Sequence, residues 1–217
     1  MRDLRRRTLT AIAYGAVVLV AVFAPSIVFG VVLVVVAILA LAELYDLRRA
    51  GAPAALEALL VLLGIGALSA LKLSGDAPRW LLVTILATWA ADIAAYLVGS
   101  AVGRHKIAPR ISPGKTWEGT IAGVVAAAAT VLASQAAIHE KTSYPVDPTI
   151  VVAAGAGVAG LAGDLLESWV KRRAGVKDSG TLLPGHGGML DRIDSLIATA
   201  LFVAIVLIGL GRTVGVE

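Results

Sequence analysis

The chain has 217 residues, 58% of them hydrophobic and 16% charged, with a mean hydropathy of +0.87. That balance excludes an ordinary soluble domain and points to an integral membrane protein, in which a formal charge of +4 matters less than where the basic residues sit and implies no nucleic-acid partner. The absence of cysteine excludes disulfide frameworks, thiolate nucleophiles and cysteine-based zinc sites, and the three histidines, at 105, 139 and 186, are too scattered for a histidine-rich metal centre.

Met1 to Arg7 carries four arginines and leads into an apolar run from about Leu9 to Ala24. The run ends on Val22-Phe23-Ala24 like a signal peptide, but Pro25 directly behind it argues against cleavage. A second apolar run, Ile27 to Ala42, follows at once, so Pro25-Ser26 reads as the turn of a helical hairpin. After a polar break from Glu43 to Pro53 come a third span, about Ala55 to Leu73, and a turn cluster at Ser74 to Pro78. The fourth span, about Trp80 to Ser100, holds Asp92 near its midpoint, where an unpaired carboxylate costs roughly 2.5–3.5 kcal/mol even on lenient insertion scales. Asp92 therefore either bonds to a neighbouring helix or faces a polar cavity, and Tyr96 lies one turn on, on the same face.

Gly103 to Lys115 is a basic loop that passes through Thr116-Trp117-Glu118-Gly119 into a fifth span reaching about Ile138. Ser112-Pro113-Gly114-Lys115 stands just before a helix start, where unpaired N–H groups and the positive helix end favour an anion; a capped helix entry with a solvated Lys115 has the same pattern. His139 to Asp147 is a polar loop, and the sixth span begins near Thr149, thinned by Gly155, Gly157, Gly160 and Gly163 so that neighbours can approach closely. A seventh runs from about Leu196 to Leu210, ahead of a short tail, Gly211 to Glu217.

The fold class is thus all-α: a polytopic protein of about seven transmembrane helices with its amino terminus in the cytoplasm. It forms one transmembrane domain over 1–217, with amino-terminal spans in 1–79 and the spans that carry the polar motifs in 80–217. In this topology, of 19 Lys and Arg only Lys72, Arg79, Lys141 and Arg212 fall outside. That asymmetry obeys the positive-inside rule and would be scrambled by one span more or fewer.

The charge-dense stretch Gly163 to Asp194 lies between two apolar runs. Asp164, Glu167, Ser168 and Lys171 recur at i, i+3, i+4, i+7 and share one helix face; Asp191 and Asp194 repeat the i, i+3 spacing. Between them a loop rich in Gly, Lys and His can cradle phosphate oxygens on its backbone N–H groups, with Lys171, Arg172 and Lys177 adding positive charge. Read singly, Asp164 could cap a helix and Lys171-Arg172-Arg173 could be a cytoplasmic anchor. Several carboxylates at the ends of apolar runs nevertheless mark function, because burying charge there is costly.

The run Ser168-x-Val170-Lys171-Arg172, four residues, Lys177-Asp178-x-Gly180-x-x-Leu183-Pro184-x-His186-Gly187-Gly188-Met189-x-Asp191-Arg192-Ile193-Asp194 resembles the signature of the phosphatidate cytidylyltransferases, or CDP-diacylglycerol synthases. Ala91-Asp92-x-x-Ala95-Tyr96 and Ser112-Pro113-Gly114-Lys115-Thr116-Trp117-Glu118-Gly119 are similar to two further shared blocks of that family. The resemblance is specific from about Ala91 to Ser195 and general before it, where family members typically carry additional helices. It implies transfer of CMP from CTP to phosphatidic acid in a site made from Asp92, Ser112, Lys115, Glu118, Asp164, Ser168, Lys171, Arg172, Lys177, Asp178, His186, Asp191, Arg192 and Asp194.

In such a reaction negative charge meets negative charge, and a divalent cation on carboxylates lowers the barrier. The trio Asp164, Asp191 and Asp194 suits Mg²⁺, with room for a second, monovalent cation, and Lys115, Lys171, Arg172, Lys177 and Arg192 are left to hold phosphate charge. His186 is read either as a loop histidine on backbone or as a donor to the triphosphate, and the resemblance favours the second. Membrane lipids and a second copy of the chain, as a homodimer, are further expected partners. The expected location is the cell's inner or plasma membrane, with the active site on the cytoplasmic face. The competing readings are a CTP-dependent prenol-type kinase, a synthase acting on ether-linked lipid phosphates and, from another class, an ion transporter using the intramembrane Asp92.

Overall fold

The computed structural model describes residues 15–74, 78–138, 148–180 and 187–210. The arginine-rich amino terminus, the His139 to Asp147 loop, His186 and the tail from Gly211 lie outside them.

Helix α1 occupies 15–23 of the described residues and packs Val22 into the core, and the chain leaves it through Pro25. Then follow α2 (Ser26–Asp46), a short 3₁₀ turn (Arg48–Ala50), α3 (Ala52–Leu73), α4 (Arg79–Val102), strands β1 (Lys106–Ala108) and β2 (Ser112–Thr116), α5 (Trp117–Ile138), α6 (Pro148–Arg173) and α7 (Leu190–Gly209). Among the described residues, six helices, α2 to α7, are long and apolar enough to cross a membrane. The chain is an all-α polytopic membrane protein, as its hydropathy dictates, and its spans fall within a few residues of the apolar runs. Large side chains such as Ile27, Val31, Ile93, Leu97, Ile121 and Ile150 point outward, as befits helices whose solvent is lipid.

Among the described residues, the two strands β1 and β2 lie in the basic loop. Lys106 pairs with Thr116 and Ala108 with Ser112 in an antiparallel hairpin with an irregular register. Thr116 ends the hairpin and caps the next helix, its Oγ1 accepting the Gly119 N–H at 3.2 Å, which is the N-cap geometry Ser and Thr favour.

Without a hydrophobic force between helices in lipid, close packing holds them together, and here it rests on small residues. The α4–α5 crossing brings Gly99 against Gly119 and Gly123 against the Ala91 carbonyl. On α6, Gly155 faces Phe202, Gly157 lies against the backbone of Val124, and Gly163 rests on the Asp194 carbonyl of α7. The sixth span's glycines thus serve several neighbours, as their spacing leads one to expect. A Gly163→Val side chain would overlap the Asp194 carbonyl and sit 2.7 Å from the Ala198 methyl. It is expected to destabilise the bundle by about 1–3 kcal/mol and displace Asp194. Gly66→Val, at a position with nothing within 4 Å, is expected to melt like wild type in detergent.

One buried cluster joins α2 (Ala40, Leu44), α3 (Ala54, Val61), α6 (Val170) and α7 (Leu190, Ile193, Ile197). Spans α2 and α3 therefore pack directly on the first turns of α7. Bonds from Glu43 to Met189, Lys115 to Asp164 and Arg172 to Ile111 gather the 3₁₀ turn, the hairpin and the start of α7 at one end of the bundle.

Candidate active site

At that end a cavity of about 730 Å³ opens between α4, α5, α6, α7 and the hairpin. Asp92, Asp164, Asp191 and Asp194 line it together with Lys106, Lys115 and Arg192. Its deeper wall is made of small residues, including Ala91, Ala95, Gly123 and Gly157. Thr88 and Thr199 also lie there but donate their hydroxyl hydrogens to the carbonyls of Thr84 and Ser195 in their own helices, both at 2.9 Å. Most of the cavity's charge thus lies toward the hairpin, and Asp92 adds a carboxylate beside Ala91 in the deeper wall.

Lys115, carried by β2, forms an ion pair with Asp164 of α6, and Asp164 Oδ1 accepts the Ser168 hydroxyl at 3.3 Å. Asp194, one turn into α7, is half-buried and accepts the Ser195 N–H at 2.7 Å, and it lines the cavity together with Asp164 and Asp92. Asp92, which the sequence left between a bond to a neighbouring helix and a polar cavity, is among the residues lining this cavity.

Asp191 is engaged differently. Its Oδ1 takes Lys171 Nζ at 2.5 Å, while Oδ2 accepts the Ser179 N–H at 3.1 Å, the Ser179 hydroxyl at 2.9 Å and the Gly188 N–H at 2.7 Å. Lys171 also pairs with the buried Glu167, so this lysine sits behind the cavity wall between two acids rather than at its surface.

Of the sequence-derived candidates, the cavity thus gathers Asp92, Lys115, Asp164, Asp191, Arg192 and Asp194. Ser112, Glu118, Ser168, Lys171, Arg172, Lys177 and Asp178 are not among its lining residues, and His186 lies outside the described residues. Two of these hold the hairpin. Glu118 accepts the N–H groups of Arg104 and His105 and pairs with His105 Nδ1 at 2.6 Å, while Arg172 Nε donates to the Ile111 carbonyl at 3.1 Å and its Nη1 to that of Val176 at 3.0 Å.

The hard oxygen donors at the rim suit Mg²⁺ in kind. Among the described residues, however, no three acidic or histidine side chains come close enough together to hold one ion. Mg²⁺ is commonly held by one or two carboxylates plus substrate phosphates, and Asp164 and Asp194, on two packed helices that both line the cavity, fit that smaller set in kind.

A sequence model of the Cytidylyltransferase family matches residues 52–209, which include every described cavity residue. The chain belongs to this family. Its relatives include phosphatidate cytidylyltransferases from Brucella suis biovar 1 (strain 1330), 46% identical over 140 residues that cover 63% of this chain and 51% of that protein, and from Haemophilus influenzae (strain ATCC 51907 / DSM 11121 / KW20 / Rd), 43% identical over 127 residues covering 56% and 43%. A third, from Staphylococcus epidermidis (strain ATCC 35984 / DSM 28319 / BCRC 17069 / CCUG 31568 / BM 3577 / RP62A), is 39% identical over 147 residues covering 67% and 55%. The chain spans about half the length of the curated relatives it matches.

For a cytidylyltransferase-family chain, several participants escape the motif reading. Lys106 joins the cavity rim from β1, and only its place in a basic loop hints at this. Glu57 of α3 is fully buried with neither carboxylate oxygen hydrogen-bonded, within reach of the Lys171 charge. A lone acid inside an apolar run is the signal that could have found it. Glu43, at the end of the second apolar run, reads as the start of a polar break and proves to be bonded to the far end of the chain.

Proposed function

We propose that this protein transfers CMP from CTP to phosphatidic acid, giving CDP-diacylglycerol and pyrophosphate, at the rim where Asp164, Asp194, Lys115, Lys106 and Arg192 converge. The observation that carries the reading is that one cavity in a membrane bundle presents both acids and bases, Asp92, Asp164, Asp191 and Asp194 beside Lys106, Lys115 and Arg192. Acids alone suit a cation path, and bases alone suit an anion; a reaction between two phosphorylated substrates needs both.

In this reading Asp164 and Asp194 would hold Mg²⁺, which would supply positive charge against the developing negative charge of the leaving group. Lys115, paired with Asp164, turns to a phosphate oxygen when nucleotide binds. Arg192, with its planar fork, grips a second phosphate, and Lys106 closes the rim. A non-bridging oxygen of the phosphatidate phosphate attacks the α-phosphorus of CTP. The bond from that phosphorus to the β-phosphate oxygen breaks, and pyrophosphate leaves with the electron pair. No general base is required, since a phosphate monoester is already ionised near neutral pH. The acyl chains stay in the bilayer and only the head group reaches the rim. Arg48, Arg49, Arg104, Lys106 and Arg110, gathered at the same end, support placing that rim at the cytoplasmic face of the cell membrane.

The test follows the α-phosphate. With CTP labelled there, purified protein, Mg²⁺ and phosphatidate in mixed micelles, the label is expected to move into a cytidine-bearing lipid while pyrophosphate is released one for one. Label recovered as free CDP beside a newly phosphorylated lipid would instead indicate a kinase and overturn the proposal.

A further inference from the structure

We infer that Glu43, on α2 and outside residues 52–209 that match the family, is a positioning residue that sets the first turn of α7 and with it Asp191, Arg192 and Asp194. A helix start needs acceptors for its free N–H groups, and α7 has no side-chain cap of its own, since Met189 stands at the N-cap position. Glu43 supplies the acceptors from another helix. Its Oε1 accepts the Met189 N–H at 2.8 Å and its Oε2 the Leu190 N–H at 2.9 Å. A carboxylate at a helix amino terminus is also favoured by the positive end of the helix dipole.

The fit around this carboxylate is tight. A Cβ at Gly188 would overlap the Glu43 carboxylate and the Ser179 hydroxyl, and one at Gly180 would lie 2.7 Å from Glu43 Oε1. Ser179 Oγ lies 2.9 Å from Glu43 Oε2 and 2.9 Å from Asp191 Oδ2. With one hydrogen it serves one acid at a time, so the two backbone N–H groups are what tie Glu43 to α7. Glu43 and Asp191 thus hold the two sides of one knot: Asp191 takes Gly188, Glu43 takes the next two residues, and Ser179 joins them. Arg192 follows within the same turn, and Asp194 lies one turn further along the cavity. The α2 span therefore completes a site whose motifs all lie later in the chain, from Ala91 onward.

The kinetic arm of the test rests on the cytidylyltransferase reading; the exchange arm does not. Hydrogen exchange is to be measured in detergent on the wild type, Glu43→Ala and Glu43→Gln, comparing segment 187–195 with a control segment in α5. In Glu43→Ala the amides of Met189 and Leu190 are expected to exchange about ten-fold faster, the loss of two modest hydrogen bonds, with α5 unchanged. Gln keeps one acceptor oxygen and should fall between, so it carries the test alone should the alanine variant fail to fold. In the activity assay the Mg²⁺ concentration for half-maximal rate is expected to rise several-fold in the order wild type, Gln, Ala. A purely structural role would lower the folded fraction and leave that concentration alone. Unchanged exchange at 187–195, or an unchanged Mg²⁺ dependence per folded molecule, overturns the inference. A wild type that forms no CDP-lipid overturns the proposed function instead, while the exchange measurement still decides the place of Glu43.

Discussion

Replacing Asp164 by asparagine is expected to reduce CMP transfer by about 10³-fold, the loss of roughly 4 kcal/mol of charge stabilisation in the transition state. The amide keeps the size of the carboxylate and can still accept the Ser168 hydroxyl, so the helix has no reason to rearrange. What it loses is charge. Lys115 is left without its counter-ion at the rim, and a cation shared with Asp194 loses one of its two ionic ligands. A variant that inserts and purifies like wild type but transfers about 10³-fold more slowly at every Mg²⁺ concentration is the expected result. Initial rates of pyrophosphate release across a Mg²⁺ titration check it, and a rate within ten-fold of wild type at saturating Mg²⁺ would remove Asp164 from the cation site. Asp194→Asn is expected to match it, because the second carboxylate of the pair stands in the same relation to the cavity.

The largest effect on stability is expected at Lys171. Its side chain is 11% exposed and its ammonium group pairs with the carboxylates of Glu167 and Asp191, whose side chains are 1% and 9% exposed. Lys171→Met leaves two buried carboxylates without their cation, and breaking a buried pair from one side costs about 3–5 kcal/mol. The damage should spread, since Asp191 also receives Ser179 and Gly188 and so anchors the approach to α7. Thermal melting in detergent is expected to fall well below wild type. Adding Glu167→Gln should recover part of the loss by removing one orphaned charge, and that recovery separates a charge effect from lost packing. Equal melting of the single variant and wild type would show that the lysine does not hold these acids in the folded protein.

These two expectations divide the acids in a way the motif spacing does not. Asp164, Ser168 and Lys171 share a helix face, and that much is legible, because 3.6 residues per turn places i, i+4 and i+7 together. The same spacing is silent on what stands opposite. Lys171 points to Asp191 and Glu167 behind the cavity wall, whereas Asp164, one turn and more away, meets Lys115 from the hairpin at the rim. Arg172 and Glu118, equally good phosphate contacts on paper, are engaged in fastening the hairpin. The start of α7 shows the limit of hydropathy in another way. The apolar run begins at Leu196, but the helix begins at Leu190, because Asp191, Arg192 and Asp194 find partners in the protein and need not leave the helix for water. The hairpin of 106–116 is too short and too rich in Pro and Gly to show a strand period, and it exists because Glu118 and Arg172 tie it down.

What the amino-acid order determined by itself was the membrane class, the positions of the spans, the glycines that let α6 approach its neighbours, and the set of charged residues from which a phosphate site is built. These depend on composition and short-range periodicity, which a chain carries wherever it is in space. The tertiary structure alone decided which carboxylates face the cavity, which are held by backbone and lysine, and that a glutamate 147 residues before Leu190 caps the helix bearing three of the site's charges. A hydrogen bond depends on distance and angle between atoms, and for groups so far apart along the chain those are set only when the helices pack.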